Sequence, residues 1–112
     1  MPSKKIIVEW SESASLDLKS IILHIATSSP KNAKDSLARI KKECQVLEKF
    51  PDLGKIPAEL EYLQINGFRE LVVSPWRIFY RKEENRVKVL AVVDSRRDLD
   101  DALWTRMMFP IV

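Results

Sequence analysis

Apolar positions recur along this chain with two different periods, and the change between them divides it. Residues 5–10 read as a short strand that ends at Ser11, a small polar residue suited to capping a helix. From Ala14 onward, Leu18, Ile21, Ile22 and Ile25 follow at steps of three and four, which predicts an amphipathic helix to about Thr27. Ser29-Pro30 then restarts the chain, since proline after a serine cap is a favoured first helical residue. Ala33, Leu37, Ile40, Cys44 and Leu47 form one apolar seam on a second, longer helix. It stops at Phe50-Pro51, because a residue before proline is pushed out of helical angles. The short link makes the two helices an antiparallel pair.

Residues 51–67, with Pro51, Gly54, Pro57 and Gly67, form a connection to which the pattern assigns no structure. Beyond it the period shortens. Phe68 to Val73, Trp76 to Lys82 and Arg86 to Val93 are rich in β-branched and aromatic residues, broken by Ser74-Pro75 and by Glu83-Glu84-Asn85. They predict a three-stranded antiparallel meander. Alternation sets Trp76, Ile78 and Tyr80 on one face of the middle strand and Arg77, Phe79 and Arg81 on the other, and gives Val87, Val89, Ala91 and Val93 a common face. From Asp98, a candidate cap, to Met108 the chain suggests a last short helix with Leu99, Leu103 and Met107 at steps of four. The expected fold is α+β in the order β-α-α-β-β-β(-α): two antiparallel helices on one face of a mostly antiparallel sheet, arginines on the other.

At 112 residues the chain is the length of one domain, taken as 1–112, and too short for a multidomain enzyme. Its net charge of +3 is too small for a nucleic-acid-coating tail. The division of the basic residues is more telling: nine of eleven lysines lie in residues 1–55, and seven of eight arginines in residues 69–106. Cys44 is the only cysteine, which excludes an internal disulfide and points to a reducing cytoplasm; its place in the seam makes it a buried structural thiol. No apolar run approaches the roughly 20 residues of a membrane span, and Met1–Lys5 is too short for a signal peptide, so no membrane association is expected.

The inventory for chemistry is short. His24 and Cys44, the only imidazole and thiol, sit on different helices, so no metal site is expected; His24 lies off the apolar stripe, as a surface histidine does. There is no phosphate loop, dinucleotide fingerprint or nucleophile elbow, and no cofactor is expected. What remains is Arg69, Arg77, Arg81, Arg96 and Arg97, which the strand assignment brings within reach of one surface. Planar guanidinium groups grip phosphate or carboxylate bidentately. They either bind a phosphodiester backbone and stabilise the negative charge that develops at phosphorus during RNA cleavage, or form a solvated face paired with Glu70, Glu83, Asp94 and Asp98; residues 57–112 hold nine basic and nine acidic side chains, which is compatible with both. Trp104, on the last helix, fits core, partner contact or base stacking.

The residues in this order resemble the RelE/ParE superfamily of toxins from bacterial type II toxin-antitoxin modules. The resemblance rests on Val8-Glu9-Trp10-Ser11 with Ala14 and Asp17-Leu18, Leu47-Glu48-Lys49-Phe50-Pro51 with Gly54, Arg69-Glu70-Leu71, Trp76-Arg77-Ile78-Phe79-Tyr80-Arg81, and Arg96-Arg97-Asp98-Leu99. It implies a growth-inhibiting toxin neutralised by a cognate antitoxin in a hetero-oligomer, with Leu18, Ile22 and Trp104 as antitoxin contacts. Two activities are known in such a superfamily. ParE-like members inhibit DNA gyrase, and RelE-like members cut messenger RNA on the ribosome.

By position, Arg77 and Arg96 correspond to the family's two sheet arginines and Arg69 to the arginine opening the preceding strand. They would be catalytic if the chain were RelE-like, with Tyr80 or Asp94 assisting, and would otherwise hold the target together with Arg81 and Arg97. Lys49 or Lys55 match the nuclease lysines loosely. The C-terminal segment offers Ala102, Leu103, Trp104 and Thr105 where a proton-transfer residue is needed. That tips the expectation to the ParE-like branch, although Asp94 stands near where that branch often has histidine. An inactive member that only binds antitoxin or regulates its operon is a further alternative. Placed on an exposed face, Arg77 and Arg96 are expected to be replaceable by alanine without loss of the fold.

Overall fold

The computed structural model describes residues 6–109; Lys5, the first residue of the expected strand, and the rest of the Met1–Lys5 start lie outside them. Strand β1 covers Ile7–Trp10. It ends at Ser11, whose hydroxyl accepts the Ala14 N–H at 3.1 Å and caps α1, Glu12–Ser28. Ser29 alone separates α1 from α2, Pro30–Gln45; it caps the second helix by accepting the Asn32 N–H at 3.1 Å, with Pro30 in the first turn. A single 3₁₀ turn, Val46–Glu48, follows, and the chain has left helical geometry by Phe50-Pro51, as the sequence requires. The connection then holds one short helix, α3, Ala58–Tyr62.

Strands β2 (Phe68–Val73), β3 (Trp76–Lys82) and β4 (Arg86–Asp94) form the expected antiparallel meander. The sheet order is β1-β4-β3-β2, with β1 parallel to β4. Helix α4 covers Asp101–Met108, later than the sequence suggested. Its cap is Asp100 and not Asp98, because the Asp100 carboxylate stands three residues before Leu103 and accepts its N–H at 2.8 Å.

Both faces of the sheet are covered, each by its own apolar cluster. On the first, Leu18, Ile40, Cys44 and Leu47 of the helical hairpin and its 3₁₀ turn meet Leu71, Ile78, Tyr80, Val87, Val89 and Val92. On the second, Leu60 of α3 and Leu103 and Met107 of α4 meet Phe68, Phe79, Leu90, Ala91 and Val93. Burying a side chain such as Leu103 or Met107 contributes about 1.5–3 kcal/mol. The open arginine face expected on this side is therefore replaced by a second core.

The common face expected for Val87, Val89, Ala91 and Val93 is also corrected. Tyr80 pairs with Val89 while Phe79 pairs with Ala91, so Leu90 is an extra residue at a bulge. The bulge reverses the alternation, leaving Val87 and Val89 under the helical hairpin and turning Leu90, Ala91 and Val93 to α4. Asp17 clasps the layers past the end of β1: its Oδ2 accepts the Val92 N–H at 3.0 Å and the Arg106 guanidinium at 2.8 Å, tying α1, β4 and α4 together. Among the described residues no helix is long and apolar enough to cross a membrane.

Candidate functional site

The five arginines do not share a surface. Arg69 pairs in register with Tyr80 and lies on the hairpin side of the sheet, whereas Arg77 and Arg81 lie on the α4 side. Arg96 and Arg97 sit in the exposed turn after β4. Each finds a partner within the chain. Arg69 donates to the Gly54 carbonyl at 2.7 Å and lies 3.5 Å from Asp52 Oδ1. Arg81 pairs with Glu83 at 3.1 Å, Arg96 with Asp94 at 3.0 Å and Arg97 with Asp100 at 3.2 Å.

Arg77 differs from the others by its depth, since only 9% of the residue is exposed. Its two terminal nitrogens grip Glu59 in a fork, Nη1 donating to Oε2 at 3.2 Å and Nη2 to Oε1 at 3.1 Å. Nη2 also donates to Glu70 Oε2, and Nη1 to the Arg97 carbonyl at 2.8 Å. The guanidinium carbon stands 4.6 Å from the centre of the Phe79 ring. Burial works to lower the Arg77 pKa, but hydrogen bonds to Glu59 and Glu70 outweigh it and the net shift is upward. The same bond to Arg77 holds the Glu59 carboxyl down to about 2, helped by the Leu99 N–H that donates to Glu59 Oε2 at 3.0 Å. Glu59 thus joins α3 and β3 to the segment that leads into α4.

Tyr80 is equally committed. It is fully buried, its hydroxyl donates to the Pro51 carbonyl at 2.8 Å, and the Gly54 N–H donates to it at 3.0 Å. Burial pushes the phenol pKa up. Gly54 is glycine because a Cβ would stand 2.6 Å from the Glu70 carbonyl oxygen and 2.7 Å from the Tyr80 hydroxyl.

Arg96 has the opposite setting. Its side chain is 89% exposed, and Asp94 accepts from its Nε, Nη2 and backbone N–H at 3.0, 3.1 and 2.8 Å. Those bonds hold the Asp94 carboxyl down to about 2.

Of the other candidates, Lys49 is exposed. The Lys55 backbone pairs with Glu70, while its ammonium stays largely in solvent, 3.9 Å from Glu70 Oε1. Asp98 is exposed. His24 is exposed and Cys44 buried, its thiol pushed up to about 12 chiefly by burial. Among the described residues no three His, Cys, Asp or Glu side chains are grouped to hold a metal. Leu18 and Ile22 line a groove on the hairpin, but Trp104 is on the other side of the sheet, its ring 6.1 Å from that of Phe68. The three residues expected to meet an antitoxin thus do not form one patch. Glu59, the partner that decides the role of Arg77, was missed because residues 51–67 show no periodicity. Its only sequence signal is Ala58-Glu59-Leu60-Glu61-Tyr62 directly after Pro57.

Comparison with known proteins agrees with this architecture. A curated relative, Toxin ParE3 of Caulobacter vibrioides, is 33% identical over 69 residues, 62% of this chain; the match spans 65% of the relative's length. A solved structure described as the chromosomal ParDE TA system from P. aeruginosa superposes with a TM-score of 0.67 at 19% identity, covering 82% of this chain and 98% of its own, and so shares the fold. The model of the family described as the ParE toxin of the type II toxin-antitoxin system parDE matches residues 8–99. The chain belongs to that ParE toxin family, within the RelE/ParE superfamily.

Proposed function

We propose that this chain is the toxin of a type II module, that a cognate antitoxin neutralises it in a hetero-oligomer, and that it acts in the cytoplasm by ParE-like inhibition of DNA gyrase without cleaving RNA. The domain responsible is taken as residues 1–112. Family membership supports the toxin reading. The non-cleaving branch is supported by one observation: Arg77 and Tyr80, two of the groups that RNA cleavage would need, are bound inside the protein by Glu59, Glu70, Pro51 and Gly54. An arginine saturated by two carboxylates and a carbonyl has little to offer a phosphate, and a buried phenol whose pKa is raised is a poor proton-transfer group at neutral pH. Contact with the target then falls to the exposed turn that carries Arg96 and Arg97, where pairs with Asp94 and Asp100 are exchangeable with solvent and with a partner.

Inducing the protein in cells while following plasmid supercoiling, DNA breaks and messenger RNA 5′ ends tests this. The expected outcome is loss of negative supercoiling or DNA breaks, with message ends unchanged. Codon-spaced cuts in translated messages with normal supercoiling would replace the reading with the nuclease one. Unaffected growth would leave only an antitoxin-binding or operon-regulating protein.

A further inference from the structure

The turn that follows β4 is fastened from beneath at every second residue. The Ser95 N–H donates to the Pro75 carbonyl at 2.8 Å, Arg77 Nη1 donates to the Arg97 carbonyl at 2.8 Å, and the Leu99 N–H donates to Glu59 Oε2 at 3.0 Å. The main chain is thus tied to three separate places: the β2–β3 link, β3 and α3. Arg96, Arg97 and Asp98 remain exposed above the ties. Inside the turn, the Arg97 N–H donates to the Asp94 carbonyl at 2.9 Å, and the Asp94 carboxylate accepts from the backbone and side chain of Arg96. Those bonds bend the chain locally but do not stop it swinging as a unit about the end of β4. The ties below remove that freedom.

Two of the three ties come from one hydrogen-bonded unit. Arg77 Nη1 donates both to Glu59 Oε2, at 3.2 Å, and to the Arg97 carbonyl, and the same Oε2 accepts the Leu99 N–H. Glu59, Arg77 and the backbone from 97 to 99 therefore close a ring, which Arg77 Nη2 anchors to β2 through Glu70. Charge balance does not call for Glu59. Glu70, 4% exposed, already neutralises Arg77, and a second carboxylate makes the cluster acidic. What Glu59 adds is the acceptor for Leu99 and a second hold on the nitrogen that carries Arg97.

We infer that Glu59 and Arg77 are positioning residues for target contact: they do not touch the target, but fix residues 97 and 99 so that the Arg96 and Arg97 guanidinium groups meet it in one geometry. This rests on the reading above that the turn contacts the target. A forked guanidinium contact depends on orientation as well as charge. A turn released from its ties has to be ordered at the moment of binding, and that ordering weakens the contact. The buried Arg77 thereby takes part in activity through the backbone of its neighbour.

The test uses the full-length toxin and purified DNA gyrase, well below the melting temperature of the least stable variant. Glu59 is probed because its side chain is 31% exposed, whereas loss of Arg77 strips the buried Glu70 as well. Glu59→Ala is expected to raise the dose for half-inhibition of supercoiling about tenfold. It is also expected to speed amide exchange at Leu99 while Ser95, held by Pro75, stays protected. Glu59→Gln, which lacks the charge but keeps an oxygen for the Leu99 N–H, is expected to recover most of the inhibition. Glu59→Asp, which keeps the charge but draws the carboxylate one methylene back, is expected to behave as Glu59→Ala, and it stands in if the alanine variant does not fold. A role confined to stability predicts the reverse order of the last two. Adding Arg96→Ala to Glu59→Ala is expected to cost little more than either change alone, because both act through the same contact.

Wild-type inhibition by Glu59→Ala despite fast exchange at Leu99 would overturn the inference. So would a loss accompanied by equal acceleration at Ser95, or losses that add in full with Arg96→Ala. Gyrase untouched by the wild-type toxin would instead overturn the target reading, while exchange at Leu99, measured without gyrase, would still report whether Glu59 holds the turn.

Discussion

Arg77 and Arg96 are the two arginines that the family pattern treats alike, and the structure gives them opposite physical roles. Arg77 is withdrawn from solvent among two carboxylates, a carbonyl and an aromatic ring, while Arg96 stands 89% exposed on a turn with one aspartate beside it. In the first setting the charges of Arg77 and Glu70 are stabilised chiefly by one another, so removal of one leaves the other desolvated and unmatched. In the second, water replaces a lost partner at little cost. A residue type and a place on a strand do not decide whether a guanidinium is a tool or a tie. The depth of its partners does.

The largest expected effect breaks the tie. Arg77→Ala leaves Glu70, 4% exposed, without its main partner, and stripping one member from a buried ion pair costs about 3–5 kcal/mol. Urea denaturation is the check, and a variant as stable as wild type would return Arg77 to the group of free, target-facing side chains. Replacing the buried pair together, Arg77→Met with Glu70→Leu, is expected to recover part of the loss, because it removes the buried charge at position 70 and leaves only Glu59, whose side chain is 31% exposed and can turn to water. This reverses the expectation drawn from sequence, in which Arg77 lay on an open face and was dispensable to the fold.

Why that expectation arose is visible in the residues. Period and capping made the hairpin and the meander legible: Ser11, Ser29-Pro30 and the seam from Ala33 to Leu47 act locally, and β2 and β3 begin and end where their composition does. What alternation could not report is whether the second face of a strand meets water or another layer. Phe79 on that face was the available hint, since an aromatic between two arginines is better buried than solvated. The cover comes from α3 in the aperiodic stretch and from α4, whose stripe of Leu103 and Met107 was recognised but not its docking site. The bulge at Leu90 was hidden for a similar reason, because an extra residue in a continuous apolar run changes no pattern. The site was legible as a list of arginines, and unresolved in their partners, because ion pairs such as Arg77 with Glu59 join residues 18 positions apart across unrelated elements.

A smaller effect is expected at Tyr80, which anchors the 51–54 stretch beside the cluster. Tyr80→Phe removes the hydroxyl that joins the Pro51 carbonyl and the Gly54 N–H, leaving buried backbone groups unsatisfied at about 1–3 kcal/mol. Gly54→Ala attacks the same point by overpacking, with a backbone oxygen 2.6 Å from the new methyl, and about 1–3 kcal/mol is again expected. Thermal unfolding measures both; a neutral Gly54→Ala would mean that the loop yields freely and that the close approach is not required.

Acid probes the cluster more gently. Glu59 has a folded pKa held down to about 2, below the roughly 4.3 of an unfolded chain. The folded protein therefore binds this proton less readily than the unfolded one, and the stabilisation is full above about pH 4.3 and is lost as pH falls toward 2. Denaturation curves of wild type and Glu59→Gln between pH 7 and 2 are expected to differ most at neutral pH and to converge in acid. A gap constant across that range would show that the Glu59 charge is not what binds α3 to Arg77.

The least change in stability is expected at Arg96, where the comparison turns from fold to function. Its partner Asp94 has a carboxyl held down to about 2 by Arg96, yet both side chains meet solvent, so Arg96→Ala is expected to leave the unfolding midpoint unchanged. If the exposed turn holds the target, the same variant loses growth inhibition and gyrase inhibition while binding antitoxin as wild type does, because the turn carries no part of the hairpin groove. Lys in place of Arg separates charge from geometry: a point charge keeps attraction to an acidic surface but cannot grip a carboxylate or phosphate in a fork. Partial activity in Arg96→Lys would identify long-range attraction as the main contribution, and none would identify bidentate recognition. Full toxicity in Arg96→Ala would remove this turn from the target surface and shift attention to Arg97, whose side chain shares the turn and whose carbonyl is already held by Arg77.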